Sequence, residues 1–314
     1  MQSVAPSKNG PAGYGVDIVL PYVCMVHVSE ITASSILVPQ KIGALSDVYD
    51  FTINPYAGCA FACSYCYVPK FPNGKHASNE WGKWVQVKTN APDLIRKERT
   101  RIFGSRIFFG SATDPYQYLE LKYRLTRRCL EELLRYKPDK LTIHTRSHLI
   151  LQDLELIKSF KDTVRVGVSI TTNDDAIRKQ FEPNAPSIPR RLDLLARLSQ
   201  AGINVHVSMA PLLPCDPDKL VNLVCRHANM VWVGQMNYPE INNRPELLEK
   251  YKDFFAPAAY AATVNKVQSL FRSGQACRAH YRERARSQNT PTLPNLHLPK
   301  HLASPGLATQ LRLL

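Results

Sequence analysis

Three cysteines, Cys59, Cys63 and Cys66, fall within one short run behind a turn, and no other feature of the chain limits its fold so strongly. An alternating run with Tyr49, Phe51 and Ile53 on one side leads to Asn54-Pro55 and a turn ending at Gly58; it reads as a strand that delivers a loop. Three and two residues separate the thiols, close enough for one loop to aim all of them at a single metal centre. A closed structural zinc site or an electron-transfer cluster takes four protein ligands; here there are three. The residues alone leave four readings open: a four-iron cube with one iron open to a small molecule, a zinc site completed by a distant ligand such as His76, a cluster that recruits another cysteine, and buried thiols with no metal.

The totals narrow the class. A chain of 314 residues supports one α/β barrel or two smaller domains, and 44% hydrophobic with 21% charged residues is ordinary for a globular enzyme. Eight cysteines, three of them clustered, argue against a secreted disulfide scaffold, which is shorter and richer in cysteine. The early apolar patch at 18–26 is broken by Pro21 and is far below a membrane span, so neither a secretory leader nor a membrane partner is expected. The net charge of +14 favours polyanions. Part of it lies in Arg278, Arg282, Arg284 and Arg286 and part along Lys70, Lys75, Lys83 and Lys88. Solvated basic faces are equally ordinary, so charge alone does not decide for nucleic acid.

Along the chain, strands alternate with helices. Strand runs at 107–109, 141–144, 164–170, 203–209 and 231–233 are separated by helical patterns at 118–136, 151–160, 187–202 and 216–227. With the strand before the cysteines they make six βα repeats, which predicts a parallel sheet and a partial (β/α)6 TIM-type barrel open on one side. The organisation expected is an N-terminal extension at 1–45 holding one or two strands, the barrel at 46–240, helices at 241–277 packed on it, and a basic tail at 278–314. A short strand at 84–87 and a helix from 91 to 101 precede the second repeat.

Barrel enzymes place functional residues just after the C-terminal ends of strands, and the unusual residues of this chain fall there: the cysteine loop, Gly110 to Tyr116, Thr145-Arg146-Ser147, Ser169 to Thr172, and Met209-Ala210-Pro211. The cysteine spacing with Tyr65 before the third cysteine resembles the radical SAM superfamily. The run Gly110-Ser111-Ala112-Thr113-Asp114-Pro115-Tyr116-Gln117, then Leu125 to Leu130, and Glu182-Pro183-Asn184-Ala185-Pro186 before Arg190-Arg191-Leu192 are similar to the spore photoproduct lyase-related, DNA repair photolyase-like branch. The likeness spans about residues 49–239 and is stronger for family than for reaction.

That resemblance implies roles. Cys59, Cys63 and Cys66 hold a [4Fe–4S] cluster whose open iron binds S-adenosylmethionine (SAM). Thr113 and Asp114 receive the SAM ammonium; Asp114 before Pro115 also reads as a turn residue. Arg146 replaces a lysine that pairs with the SAM carboxylate, where its fork suits bidentate contact. Ser169 meets the ribose, Tyr65 flanks the adenine, and Met209 and Ala210 line it, although an apolar strand end also reads as core. Glu182 with Arg190 or Arg191 reads equally as a charge network bracing this wall and as a capping or solvated group. Tyr65 and Tyr67 stand at the tyrosine pair that returns a hydrogen atom. Ser111 stands where the spore enzyme has a hydrogen-donating cysteine; its O–H bond is too strong for that task, which argues against reversal of the spore photoproduct itself. Cys129, in an amphipathic helix, reads as packing, and Cys215 is the one other thiol worth testing. The implied enzyme is a lyase-like radical SAM protein of a reducing cytosol, with an external flavodoxin- or ferredoxin-type electron donor, acting on nucleic acid. A small metabolite or peptide as substrate, and a non-catalytic metal- or nucleic-acid-binding module, are the alternatives.

Overall fold

β-branched and aromatic runs punctuated by Gly, Pro and Asn build short strands in the computed structural model, which describes residues 26–41, 45–70, 80–236 and 239–274. In chain order these are β1 (His27–Ile31), β2 (Leu37–Pro39), β3 (Phe51–Ile53), β4 (Tyr56–Ala57), β5 (Trp84–Lys88), β6 (Arg106–Phe109), β7 (Lys140–Thr145), β8 (Val164–Ser169), β9 (Val205–Met209) and β10 (Met230–Val233). Seven form the main sheet in the order β10-β9-β8-β7-β6-β3-β2. Its six strands from β3 to β10 pair in parallel and β2 caps the β3 edge antiparallel. Six parallel strands match the six repeats, and β10 and β2 are separate edges, so the sheet stays open.

Strand parity explains the layering. Ile107, Phe109, Leu141, Ile143, Val166, Val168, Val205 and Val207 are fully or almost fully buried on one face. Parallel strands covered on both sides are usually apolar throughout, yet the alternate positions here carry Thr142, His144, His206 and Ser208. His144 on β7 and His206 on β9 lie level with Gly167 of β8 and meet across it, Nε2 to Nε2, at 2.7 Å. A Cβ on Gly167 would sit 2.2 Å from the His144 ring, so only glycine leaves room for the pair.

The helices follow the expected order with two kinds of departure. α1 (Ala91–Lys97) and α2 (Arg99–Ile102) divide the first helical stretch. The pattern at 118–136 divides into α3 (Glu120–Tyr123) and α4 (Leu125–Tyr136) because Arg124 adopts φ 45°, a left-handed turn that no helix continues through. Leu125, Cys129, Leu130 and Leu133 bury one face of α4, so Cys129 is packing. The pattern at 151–160 opens as a 3-10 segment (His148–Asp153) before α5 (Leu154–Lys158). α6 (Asp175–Phe181) was absent from the sequence expectations; Asp174, which accepts from Ala176 N and Ile177 N, is the N-cap signal that marks it. α7 (Ile188–Gln200) and α8 (Pro217–Val224) stand as expected, and Asp216 caps α8. α9 (Pro245–Lys250), α10 (Lys252–Phe255) and α11 (Pro257–Ser273) follow, α11 against α8 and β10.

The stretch at 84–87 is a strand, but its partners are β1, parallel, and the unanticipated β4, antiparallel. Residues assigned to an N-terminal extension therefore supply strands to both sheets. His76, Lys75 and the tail at 278–314 lie outside the described residues.

Candidate cofactor site

Asn54 ends the run from β3 and is tied twice to the loop after β6: its Nδ2 donates to Ser111 Oγ at 2.9 Å and its Oδ1 accepts from Ala112 N at 2.8 Å. Gly58, at φ +79°, lets the cysteine loop pass β5 where a Cβ would lie 2.4 Å from the Trp84 carbonyl. The loop is then clamped from the neighbouring strand ends. Thr113 Oγ1 donates to Gly58 O at 2.7 Å, Gln117 Oε1 accepts from Ala60 N at 3.0 Å, and Gln117 Nε2 donates to Thr113 Oγ1 at 3.1 Å. From the far side Asn184 Nδ2 donates to Ala60 O at 3.0 Å and Ser64 N to Phe181 O at 2.8 Å. The two motifs singled out in the sequence thus hold the cysteine loop. Gln117 and Asn184 belong to those motifs, and the sequence alone gives neither a role.

All three thiols are free, Cys59 and Cys63 buried and Cys66 half-buried. Burial pushes Cys66 up to about 12 and raises Cys59 and Cys63, with Arg146 pulling the other way. Such thiols become thiolates when a metal takes them. Among the described residues no three His, Cys, Asp or Glu side chains group as ligands of one metal ion; a cube, in which each thiolate takes a different iron, does not require that. The surroundings fit an acceptor-rich guest: Ser64 Oγ, Trp81 Nε1, Asn242 Nδ2 and Arg146 Nε are buried without a hydrogen-bond partner among the described residues.

Asp114 is buried, and its carboxylate already accepts from Thr145 Oγ1 at 2.7 Å, Tyr116 N at 2.9 Å and Arg146 N at 2.7 Å. It is both the turn residue and a brace between two strand ends, with acceptor capacity left on Oδ2. Arg146 Nη2 donates to Tyr65 Oη at 3.1 Å, and its Nε lies 3.6 Å from Glu182 Oε1. Glu182, 0% exposed, accepts from the Tyr65 hydroxyl, from Thr171 Oγ1 at 3.0 Å and from Arg191. Arg191, also 0% exposed, donates to Pro186 O at 2.8 Å and Ser169 O at 3.1 Å. The bracing network is the observed alternative, made by Arg191 and not Arg190. Burial would raise Glu182, but the charges of Arg191 and Arg146 bring it down to about 2. Burial lifts the Tyr65 phenol well above its ordinary value, against Arg146.

The remaining predicted residues divide. Ser169 is buried at the end of β8. Met209 is fully buried in the main core with Val205 and Val207, so its side chain takes the packing role; Ala210, half-buried, borders the strand end. Tyr67 is 41% exposed and its hydroxyl donates to Ser111 O at 2.7 Å, which brings the second tyrosine to the residue standing in the thiol's place. Cys215 packs against the core, and burial pushes its thiol up to about 12. The basic flank is thinner than its sequence suggests. Lys70 pairs with Glu240 at 3.0 Å, and Lys88 is half-buried with its Nζ donating to Asn54 O at 2.9 Å.

Three comparisons set this site among known proteins. The chain is 33% identical to an uncharacterized protein of Methanocaldococcus jannaschii over 60% of its own length and 69% of the relative's. It is 26% identical to a protein named radical SAM Nalpha-GlyT isomerase from Pseudomonas phage M6, over 51% of this chain and 32% of that one. A solved spore photoproduct lyase double mutant with bound AdoMet and dinucleoside spore photoproduct shares the fold, with TM-score 0.52 and 16% identity over 78% of this chain and 72% of that one. Another spore photoproduct lyase structure is matched over only 51% of its length. Among the described residues no helix is long and apolar enough to cross a membrane. The radical SAM superfamily profile matches residues 53–224, more than half of the chain, and the protein is a member of the radical SAM superfamily, whose cofactors are a [4Fe–4S] cluster and SAM.

Proposed function

We propose that Cys59, Cys63 and Cys66 each take one iron of the cluster and that the chain cleaves SAM reductively. The cofactors, when bound, supply one electron to the sulfonium and so methionine and a 5′-deoxyadenosyl radical. The protein's part is binding and exclusion of water. The observation that carries the reading is a buried ionic wall, Arg146, Glu182 and Arg191, against a clamped loop of three free thiols. Asp114, with acceptor capacity remaining, suits the SAM ammonium, and Arg146, with one N–H unpartnered, suits the carboxylate. Thr113 keeps the loop in register for that contact, Tyr65 and Ala210 border the adenine, and Ser169 lies where a ribose contact is proposed. Tyr65 and Tyr67 are the proposed hydrogen-atom relay.

Nucleic acid is the first substrate class to test, on the net charge of +14, with a flavodoxin- or ferredoxin-type donor in a reducing cytosol. A small metabolite or a peptide is the alternative substrate class. Reconstituted anaerobically, the wild type is expected to hold about four irons and to release 5′-deoxyadenosine with dithionite. Cys63→Ala is expected to abolish release. Stoichiometric zinc, or iron without SAM cleavage, would sink the proposal. DNA affinity that falls steeply with salt would support the nucleic-acid substrate; indifference to DNA with turnover of a peptide would replace it.

A further inference from the structure

We infer that Ser64, Trp81 and Asn242 form a collar of hydrogen-bond donors to the sulfur atoms of the cluster and set its reduction potential, an inference that rests on the cluster reading above. Ser64 lies inside the cysteine loop and is buried with its hydroxyl unpartnered. Trp81 shares an apolar cluster with Cys59, Cys63 and Tyr65. Its neighbour Gly82 is pressed so close to the loop that a Cβ there would lie 2.2 Å from the Ala62 Cβ, and its own indole N–H is buried and unpartnered. Asn242 arrives from beyond the last strand. Asn243 N donates to Ser64 O at 3.0 Å, while Asn242 Oδ1 accepts from Arg244 N at 2.9 Å. That contact fixes which end of the Asn242 amide is oxygen and leaves its buried NH2 without an acceptor.

Leaving a buried donor unmet is costly, and native proteins keep such groups few. Three of them, one inside the cysteine loop and two on segments packed on it or bonded to it, indicate an acceptor that the described residues do not supply. Phe61, Phe181 and Leu213 of the same cluster carry no side-chain oxygen, and the Tyr65 hydroxyl is engaged with Glu182 and Arg146. Cluster sulfides and cysteine thiolates accept hydrogen bonds, and these bonds are among the determinants of cluster potential. Donors stabilise the reduced form, which carries one more negative charge, so the collar raises the potential and makes the cluster easier to reduce.

The test is a redox titration of the anaerobically reconstituted full chain without SAM, read by the EPR signal of the reduced cluster, for wild type, Ser64→Ala, Trp81→Phe and Asn242→Leu. Trp81→Phe keeps an aromatic ring and removes only the donor; Ser64→Ala is the least disruptive to folding. With iron and sulfide at wild-type levels, each variant is expected to be harder to reduce. The combined Ser64→Ala/Trp81→Phe variant is expected to show about a tenfold lower ratio of reduced to oxidised cluster at fixed potential, which for one electron is about 59 mV. Loaded variants with the wild-type potential would overturn the collar and assign the donors to ordered water. A wild-type chain that takes up no iron would overturn the collar together with the cluster reading.

Discussion

Tyr65 and Tyr67 flank the same cysteine and end in opposite surroundings. Tyr65 is 8% exposed, and its hydroxyl donates to a buried carboxylate and accepts from Arg146. Tyr67 is 41% exposed and donates to the Ser111 carbonyl. The first is locked into an ionic wall where a low dielectric makes each contact strong and each loss costly; the second rests on the rim, where water competes. Two residues alike in type and one step from Cys66 thus divide the labour: one is part of what holds the site, the other sits at its rim.

The largest effect should come from breaking the wall behind Tyr65. Arg191→Met leaves Glu182 buried with a weaker counter-charge, and loss of one partner of a buried pair costs roughly 3–5 kcal/mol. Urea denaturation of the variant should show it, and a loss below about 1 kcal/mol would mean that water enters the wall.

The acid limb tests the same wall. Glu182 falls from an ordinary 4.5 to about 2 in the folded chain. The unfolded state therefore binds more protons between those values. The contribution of Glu182 to stability is full above about pH 4.5 and is lost as pH falls towards 2, roughly 3 kcal/mol at most. Stability measured against pH should fall less steeply across that window in Glu182→Gln than in wild type; parallel curves would refute the assignment.

Tyr65→Phe removes a donor from Glu182 and should cost about 1–3 kcal/mol. Tyr67→Phe should cost less than about 1 kcal/mol while changing how often SAM is cleaved per product formed, if the relay proposed above operates. Equal stability losses in the two variants would erase the contrast between them; unchanged product yield in Tyr67→Phe would remove the relay.

What could be read in advance was local. The spacing of Cys59, Cys63 and Cys66, the alternation of β3 and β6 to β10, and the polar clusters after strand ends are properties of neighbouring residues. α6 was missed although Asp174 marks its start, and β4 is two residues long, too short for periodicity to register. Lys88 read as part of a basic flank and turned inward because its strand pairs on both sides. Met209 read both as a pocket wall and as core, and the parity of β9 puts its side chain with Val207.

By itself the sequence determined the loop of three thiols, the order of six βα units and the resemblance to the family, because three thiols on one loop and a period of two or 3.6 need no distant partner. Tertiary structure decided which charged and phenolic groups are buried together. Tyr65 meets Arg146 across 81 residues and Glu182 across 117. The crossovers of a parallel sheet bring such groups to one end, and only there do desolvation and mutual charge set what each of them can do.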